Sequence, residues 1–158
     1  MAETRTFPSV IMIGPTNFSE RWISEINRLL KQLSDHAPTL DEKRVKKIVN
    51  QPGFKYIIFQ NFDPYEFMAM ASLTIRHTSM GTTGFIDDVI VDKRYRCQGL
   101  GTLLLKYAIS NARIMKAVYV DLTSNTEREA ANALYQKLGF GLIGKVGESN
   151  YYRLQLKD

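Results

Sequence analysis

The chain contains one cysteine, two histidines and five prolines, and no apolar run approaches the ~20 residues a membrane-spanning helix requires. Each scarcity excludes a class of protein. A lone Cys97 cannot build an intrachain disulfide framework, and two histidines with one cysteine make no metal cluster, so no metal is expected. The polar opening Met1-Ala-Glu-Thr-Arg5 lacks the apolar core of a secretory signal, which makes a reducing, cytoplasmic location the expectation. Repeats, low-complexity tracts and linker-like stretches are also missing. The 158 residues, 44% hydrophobic and 23% charged, therefore read as one domain, 1–158, with a sizeable core and no membrane partner. Two common phosphate-binding patterns are absent as well. No lysine follows Gly101, as a P-loop requires, and Leu104 stands where the dinucleotide fingerprint needs its third glycine.

What is present is a strand, a basic loop and a helix start within Val89-Ile-Val-Asp-Lys-Arg-Tyr-Arg-Cys-Gln-Gly-Leu-Gly-Thr-Leu-Leu-Leu105. Gly99 and Gly101 fall where an amphipathic helix begins. Backbone N–H groups at such a start lack intrahelical acceptors and carry partial positive charge, so they can hold a pyrophosphate. Arg94 and Arg96 are expected to add cationic donors there. A modest net charge of +5 agrees with a partly basic ligand pocket.

Periodicity gives the remaining elements. Ser9–Ile13 reads as a strand stopped by Gly14-Pro15. Trp22, Ile23, Ile26, Leu29, Leu30 and Leu33 follow at helical spacing, with Asn17 or Ser19 as the cap. Pro38 breaks that helix, and Thr39-x-x-Glu42 forms a capping box for the next. Strands are expected at Phe54–Gln60, Phe67–Arg76 and Phe85–Val91. The basic loop then opens a helix whose Leu100, Leu103, Leu104, Tyr107 and Ala108 share a face. Ala117–Leu122 is a strand, Thr126-x-x-Glu129 caps a further helix, and Gly139 ends it. Strands near Leu142–Val146 and Tyr151–Leu156 close the chain. The order is β-αα-βββ-α-β-α-ββ, an α/β fold of the α+β type. A helical crossover between Val89 and Val118 implies a parallel pair inside a mixed sheet.

The loop Arg96-x-x-Gly99-x-Gly101 and the helix end Leu134-Tyr135-Gln136-Lys137-Leu138-Gly139-Phe140, with a strand between them, resemble the GNAT superfamily of acetyl-coenzyme A-dependent N-acetyltransferases. The resemblance covers roughly Phe67 to Leu156. It implies a mixed sheet of six to seven strands with four helices, in which the strands at Val89 and Val118 splay to admit the pantetheine arm. Acetyl-coenzyme A is then the cosubstrate. The resemblance assigns its binding to Val89, Ile90, Val91, Arg96, Cys97, Gln98, Gly99, Leu100, Gly101 and Thr102, with Asn125 as a contact to the pantetheine amides and Arg128 as a contact to coenzyme phosphate or to an acidic substrate. Many proteins of this kind dimerise, so a homodimer stays open.

Transfer from thioester to amine needs a neutral amine, a positioned carbonyl, donors for its oxygen and a proton for the departing thiolate. Tyr135 is the candidate acid: a phenol with a reference pKa of about 10 remains protonated while a thiol near 8.5 forms. The alternative is a partly buried core tyrosine, since Ala131, Tyr135 and Leu138 share a helix face. Asp87 and Asp88 are candidates for binding or deprotonating the amine, although neighbours on a regular strand point to opposite faces unless it bulges. Members of the superfamily commonly carry such a bulge, which would offer the Val89 or Ile90 amide to the carbonyl. The run Phe85-Ile-Asp-Asp-Val-Ile-Val91 is similar to the acidic strand of glucosamine-phosphate N-acetyltransferases, but the stretch Leu122–Asn132 departs from them.

Cys97 is expected beside the pyrophosphate rather than as a nucleophile, so direct attack in a ternary complex is favoured over a ping-pong route. The acceptor is an amine on a small molecule, amino sugar phosphate or peptide. A second reading is a non-catalytic module that senses the coenzyme or scaffolds a partner, nucleic acid included, through Lys43, Arg44, Lys46 and Lys47. Nothing aromatic interleaves with those charges, so a nucleic-acid partner is not expected.

Overall fold

The computed structural model describes residues 9–156; the polar opening at Met1–Arg5 lies outside them. Among the described residues are seven strands and four α-helices. They run β1 (Ser9–Ile13), α1 (Trp22–Leu33), α2 (Glu42–Val49), β2 (Phe54–Phe62), β3 (Tyr65–Thr78) and β4 (Gly81–Val91). A short 3-10 turn (Lys93–Tyr95) leads to α3 (Leu100–Ile114), β5 (Ala117–Asn125), α4 (Glu129–Lys137), β6 (Gly141–Val146) and β7 (Ser149–Gln155). All strands join one sheet in the order β1-β2-β3-β4-β5-β7-β6, antiparallel except for the β4–β5 pair that the α3 crossover connects.

Two apolar layers fill the space on either face. Alternation along β2 and β3 divides the residues: Ile57, Phe59, Ala71, Leu73 and Ile75 pack with α3 and Tyr135, whereas Tyr56, Ile58, Phe67 and Met70 pack with α1 and α2. The buried stripe of α3 runs through Leu100, Leu104, Leu105, Ala108, Ile109 and Ala112. Leu103 and Tyr107, expected on that face, sit at its rim, 40% and 41% exposed.

Helix starts differ from the sequence expectation. Asp41 caps α2, its Oδ1 accepting the Arg44 amide at 2.7 Å, which displaces the Thr39 box by two residues. α1 begins after Arg21 with no side-chain cap, and its first turn is tied by the Ser19 carbonyl, which accepts the Trp22 amide at 3.1 Å. Asn17 instead braces the turn after β1, accepting from Gly14 and donating to the Met12 carbonyl. α4 begins after Arg128, so Thr126 is no cap either. Polar side chains there serve the preceding turns because those turns leave their own amides unpaired.

The end of α4 does follow expectation. Gly139 adopts φ +94°, its amide reaches the Gln136 carbonyl and the Phe140 amide reaches the Tyr135 carbonyl. That pair of hydrogen bonds is the Schellman motif, and its usual apolar contact is the edge-on packing of Phe140 on Tyr135, 6.1 Å between centroids. The spacing from Tyr135 to Phe140 is thus a helix-termination device that also fixes the tyrosine ring.

Candidate active site

β4 and β5 pair in parallel only as far as Ile86 and Leu122. Beyond that point they diverge, and a cleft of about 790 Å³ opens beside the freed end of β4. Its walls include Val89, Ile90 and Val91 on β4, Leu134 and Tyr135 on α4, and Leu100, Gly101 and Thr102 on α3. One strand end thus supplies a wall, and one helix start supplies the floor.

Gly99 forms that start with φ +83°, a left-handed conformation that glycine adopts without steric cost. The first-turn amides of Leu100, Gly101 and Thr102 consequently have no preceding helical carbonyl to bond. Gly101 serves a different purpose. A Cβ there would lie 3.3 Å from Leu134 Cδ2 and 3.6 Å from Val91 Cγ2, so its absence lets α3 lie close to α4 and β4.

The basic loop is sorted by its partners. Arg96 lines the cleft, with Nε donating to the Val91 carbonyl at 3.0 Å. Arg94 turns away and pairs with Glu66 at 2.7 Å and Asp92 at 2.9 Å, so it is a structural cation rather than a donor to the cleft. Cys97 lines the cleft and is exposed, while Gln98 lies outside the lining and contacts the Arg94 carbonyl at 3.5 Å.

Asp92 is fully buried at the centre of a charge cluster that sequence reading missed. Arg28 of α1 bonds Asp92, Glu25 at 2.7 Å and the Phe67 carbonyl at 2.7 Å. Glu25 accepts the Phe67 amide at 2.7 Å, and Gln32 accepts the Lys93 amide at 2.9 Å. Burial alone would raise the Asp92 carboxyl, but bonds from Arg94 and Arg28 hold it well below the usual carboxylate range. Glu25, Arg28 and Gln32 form one polar stripe of α1 at i, i+3, i+7 spacing, a signal legible in the sequence. The stripe fastens α1 to the end of β4, where the loop departs.

A second, smaller space of about 100 Å³ adjoins the cleft and is lined by Asp87, Asp88, Thr123, Ser124, Arg128 and Tyr135, among others. Asp87 and Asp88 share it because β4 bulges. Ser72 pairs with Asp87 and Met70 with Ile90, so β4 holds one residue more than β3 across this stretch. Asp88 takes φ +51°, which aspartate tolerates better than most residues. The parity change shows in the core: Ile86 packs on the α3 side and Ile90, four residues on, packs on the α1 side. Asp88 and Val89 drop out of the β3 register just where β5 pairing has already ended.

Burial in this space raises both aspartate carboxyls above their ordinary value. Part of Asp87 still meets solvent, yet the concave wall displaces enough water to push its carboxyl up to about 6, with the Asp88 charge contributing. Asp88 is raised by burial as well, opposed by the Ser72 hydroxyl at 3.5 Å. Tyr135, 5% exposed, stands on the wall common to both spaces, and burial pushes its phenol up to about 12 against the opposing Arg128 charge. Its ring is held by Phe140 and, 5.9 Å away, by Tyr152.

Arg128 spans both spaces and donates to the Leu33 carbonyl at 2.5 Å, joining the start of α4 to the end of α1. Asn125 is absent from both linings; its Oδ1 accepts the Glu127 amide at 2.9 Å within the turn before α4. Ser124 and Gln32 line these spaces without having been singled out in the sequence, and Leu33, read there only as part of an apolar helix face, lines both. Among the described residues, no group of three or more histidine, cysteine or acidic side chains could hold a metal, and no helix is long and apolar enough to cross a membrane.

A sheet that splays beside a glycine-started helix, with a bulged acidic strand facing a buried tyrosine, defines a class of acyl-transfer proteins. Residues 20–140 match the model of the Acetyltransferase (GNAT) family, and the chain belongs to that family, which uses acetyl-coenzyme A. Among solved structures it is similar to an acetyltransferase of Trypanosoma brucei, with 26% identity, 87% of this chain and 96% of that chain covered, and a TM-score of 0.72. An aminoglycoside acetyltransferase from an uncultured soil metagenomic sample shares the fold at 14% identity, covering 91% and 95% of the two chains, TM-score 0.76. So does glucosamine-6-phosphate N-acetyltransferase of Arabidopsis thaliana at 21% identity, covering 87% and 95%, TM-score 0.69.

Proposed function

We propose that this acetyltransferase moves the acetyl group of acetyl-coenzyme A to a primary amine by direct attack, with both substrates bound at once. The two adjoining spaces carry the reading: one has volume for the coenzyme arm, the other brings carboxylates to its side, and Tyr135 belongs to both. The first-turn amides of α3 suit a diphosphate, since they combine unpaired donors with the positive end of the helix. Arg96 adds charge at the same mouth, and Val89 to Val91 offer backbone to the pantetheine amides.

Each step asks something of a particular residue. Asp87, with a carboxyl near 6, is ionised at neutral pH and basic enough to take a proton from an ammonium on its way to attack. The Val89 amide, freed from the β3 register, suits the carbonyl oxygen as negative charge develops there. Tyr135 stays protonated through neutral pH and so can give its proton to the departing thiolate.

Release of free thiol from acetyl-coenzyme A over a panel of primary amines tests the reading, alongside calorimetry with coenzyme A. Amine-dependent thiol release is the expected result. Tight coenzyme binding with no turnover of any amine would favour the non-catalytic, coenzyme-sensing reading instead.

A further inference from the structure

We infer that the acceptor is a linear alkylamine, held as its ammonium in the recess formed by Asp87, Asp88 and Ser124, and that amines carrying a neighbouring anionic group are rejected. The inference rests on the proposed acetyltransferase reading and narrows its substrate class.

Charge is the first argument. Asp87, Asp88 and Arg128 are the ionisable groups on the recess wall besides Tyr135, and Arg128 already commits a donor to the Leu33 carbonyl. Leu33 is the last residue of α1, so the negative end of that helix also faces the recess. Two carboxylates and a helix C-terminus against one engaged guanidinium favour a cation. A phosphate or carboxylate next to the amine would meet like charges.

Hydrogen bonding is the second, independent argument. Ser124 is 7% exposed, lines the recess, and its Oγ has no hydrogen-bond partner. A buried hydroxyl left unpaired is costly unless something fills the place. An ammonium offers three donors, and the recess offers three acceptor groups in Asp87, Asp88 and Ser124. Size agrees, because a recess of about 100 Å³ suits an ammonium on a slim methylene chain better than one on a bulky ring.

The test compares kcat/KM for butane-1,4-diamine, Nα-acetyl-lysine amide, glucosamine and glucosamine 6-phosphate by thiol release. Either alkylamine is expected to exceed both sugars by about tenfold or more; which of the two leads separates a free diamine from a lysine side chain. A sugar phosphate used as well as the alkylamines overturns the inference and leaves the acetyltransferase reading intact. No turnover with any acceptor overturns both.

Ser124→Ala supplies a second readout. Since its Oγ makes no bond in the fold, melting temperature and coenzyme affinity should hold while KM for the preferred alkylamine rises about fivefold or more. A variant with lowered melting temperature and unchanged amine KM would overturn the inference, because the hydroxyl would then serve the fold alone.

Discussion

The two sides of the cleft proposed above, one for coenzyme and one for acceptor, are built from different material. The coenzyme side is largely backbone: first-turn amides, a left-handed glycine, a strand end freed by splaying, and a glycine that permits close packing. The acceptor side is largely side chains: two aspartates, a serine, a tyrosine and an arginine. Backbone geometry tolerates many sequences, so relatives at 14% to 26% identity keep the same frame. Side-chain chemistry changes with each substitution, so the acceptor must be read from this chain alone.

Substitutions can sharpen or break that division. Tyr135→Phe acts at the junction and should cost most, lowering kcat by about 10² to 10³-fold while coenzyme affinity by calorimetry stays within about twofold. Equal turnover in that variant would return Tyr135 to the core.

Asp87→Asn confines the damage to the acceptor side, with kcat/KM down by about 10²-fold. The wild-type profile carries the sign. Asp87 gains its proton as pH falls through about 6, so activity should decline below that value, and the variant should lose that limb of the curve. A limb that survives the substitution would belong to another group.

Gly101→Val acts on the other side. Its added carbons meet Leu134 and Val91, tilt the first turn of α3, and should weaken coenzyme binding about tenfold while amine KM is spared. Amine KM rising in step would dissolve the distinction between the two sides.

Asp92→Asn should affect rate least, acting through the fold. Removing a buried charge that satisfies Arg28 and Arg94 should lower unfolding free energy by about 3 kcal/mol in urea titrations. Because its folded pKa is depressed, the wild-type contribution is complete above about pH 4 and is lost as pH falls further. An unchanged urea midpoint would mean that the charge cluster adds nothing to the tie between α1 and β4.

Much of the frame was legible in the chain. Apolar periodicity located every strand and helix in order, because each, apart from the wholly exposed edge strand β6, buries one face against a defined layer. The Gly99–Gly101 and Tyr135–Phe140 motifs were legible because they encode backbone events, a helix start and a helix stop. Caps were less so. Thr39, Thr126 and Asn17 matched the spacing but were outcompeted by Asp41 or drawn into turns. Arg94 looked like a phosphate ligand because its buried partners, Asp92 just past β4 and Glu66 on β3, meet only after folding. The aspartate pair posed the same difficulty, since one extra residue in β4 is invisible until β3 supplies the count.

That extra residue makes the neighbourhood of Asp88 intolerant of deletion in an unusual way. Shortening β4 by one would restore strict up-and-down alternation and reverse the facing of everything from Val89 onward. Asp92 would swing out from beneath α1, and a loss of one codon beside the acceptor recess would be felt as a broken anchor at the coenzyme loop.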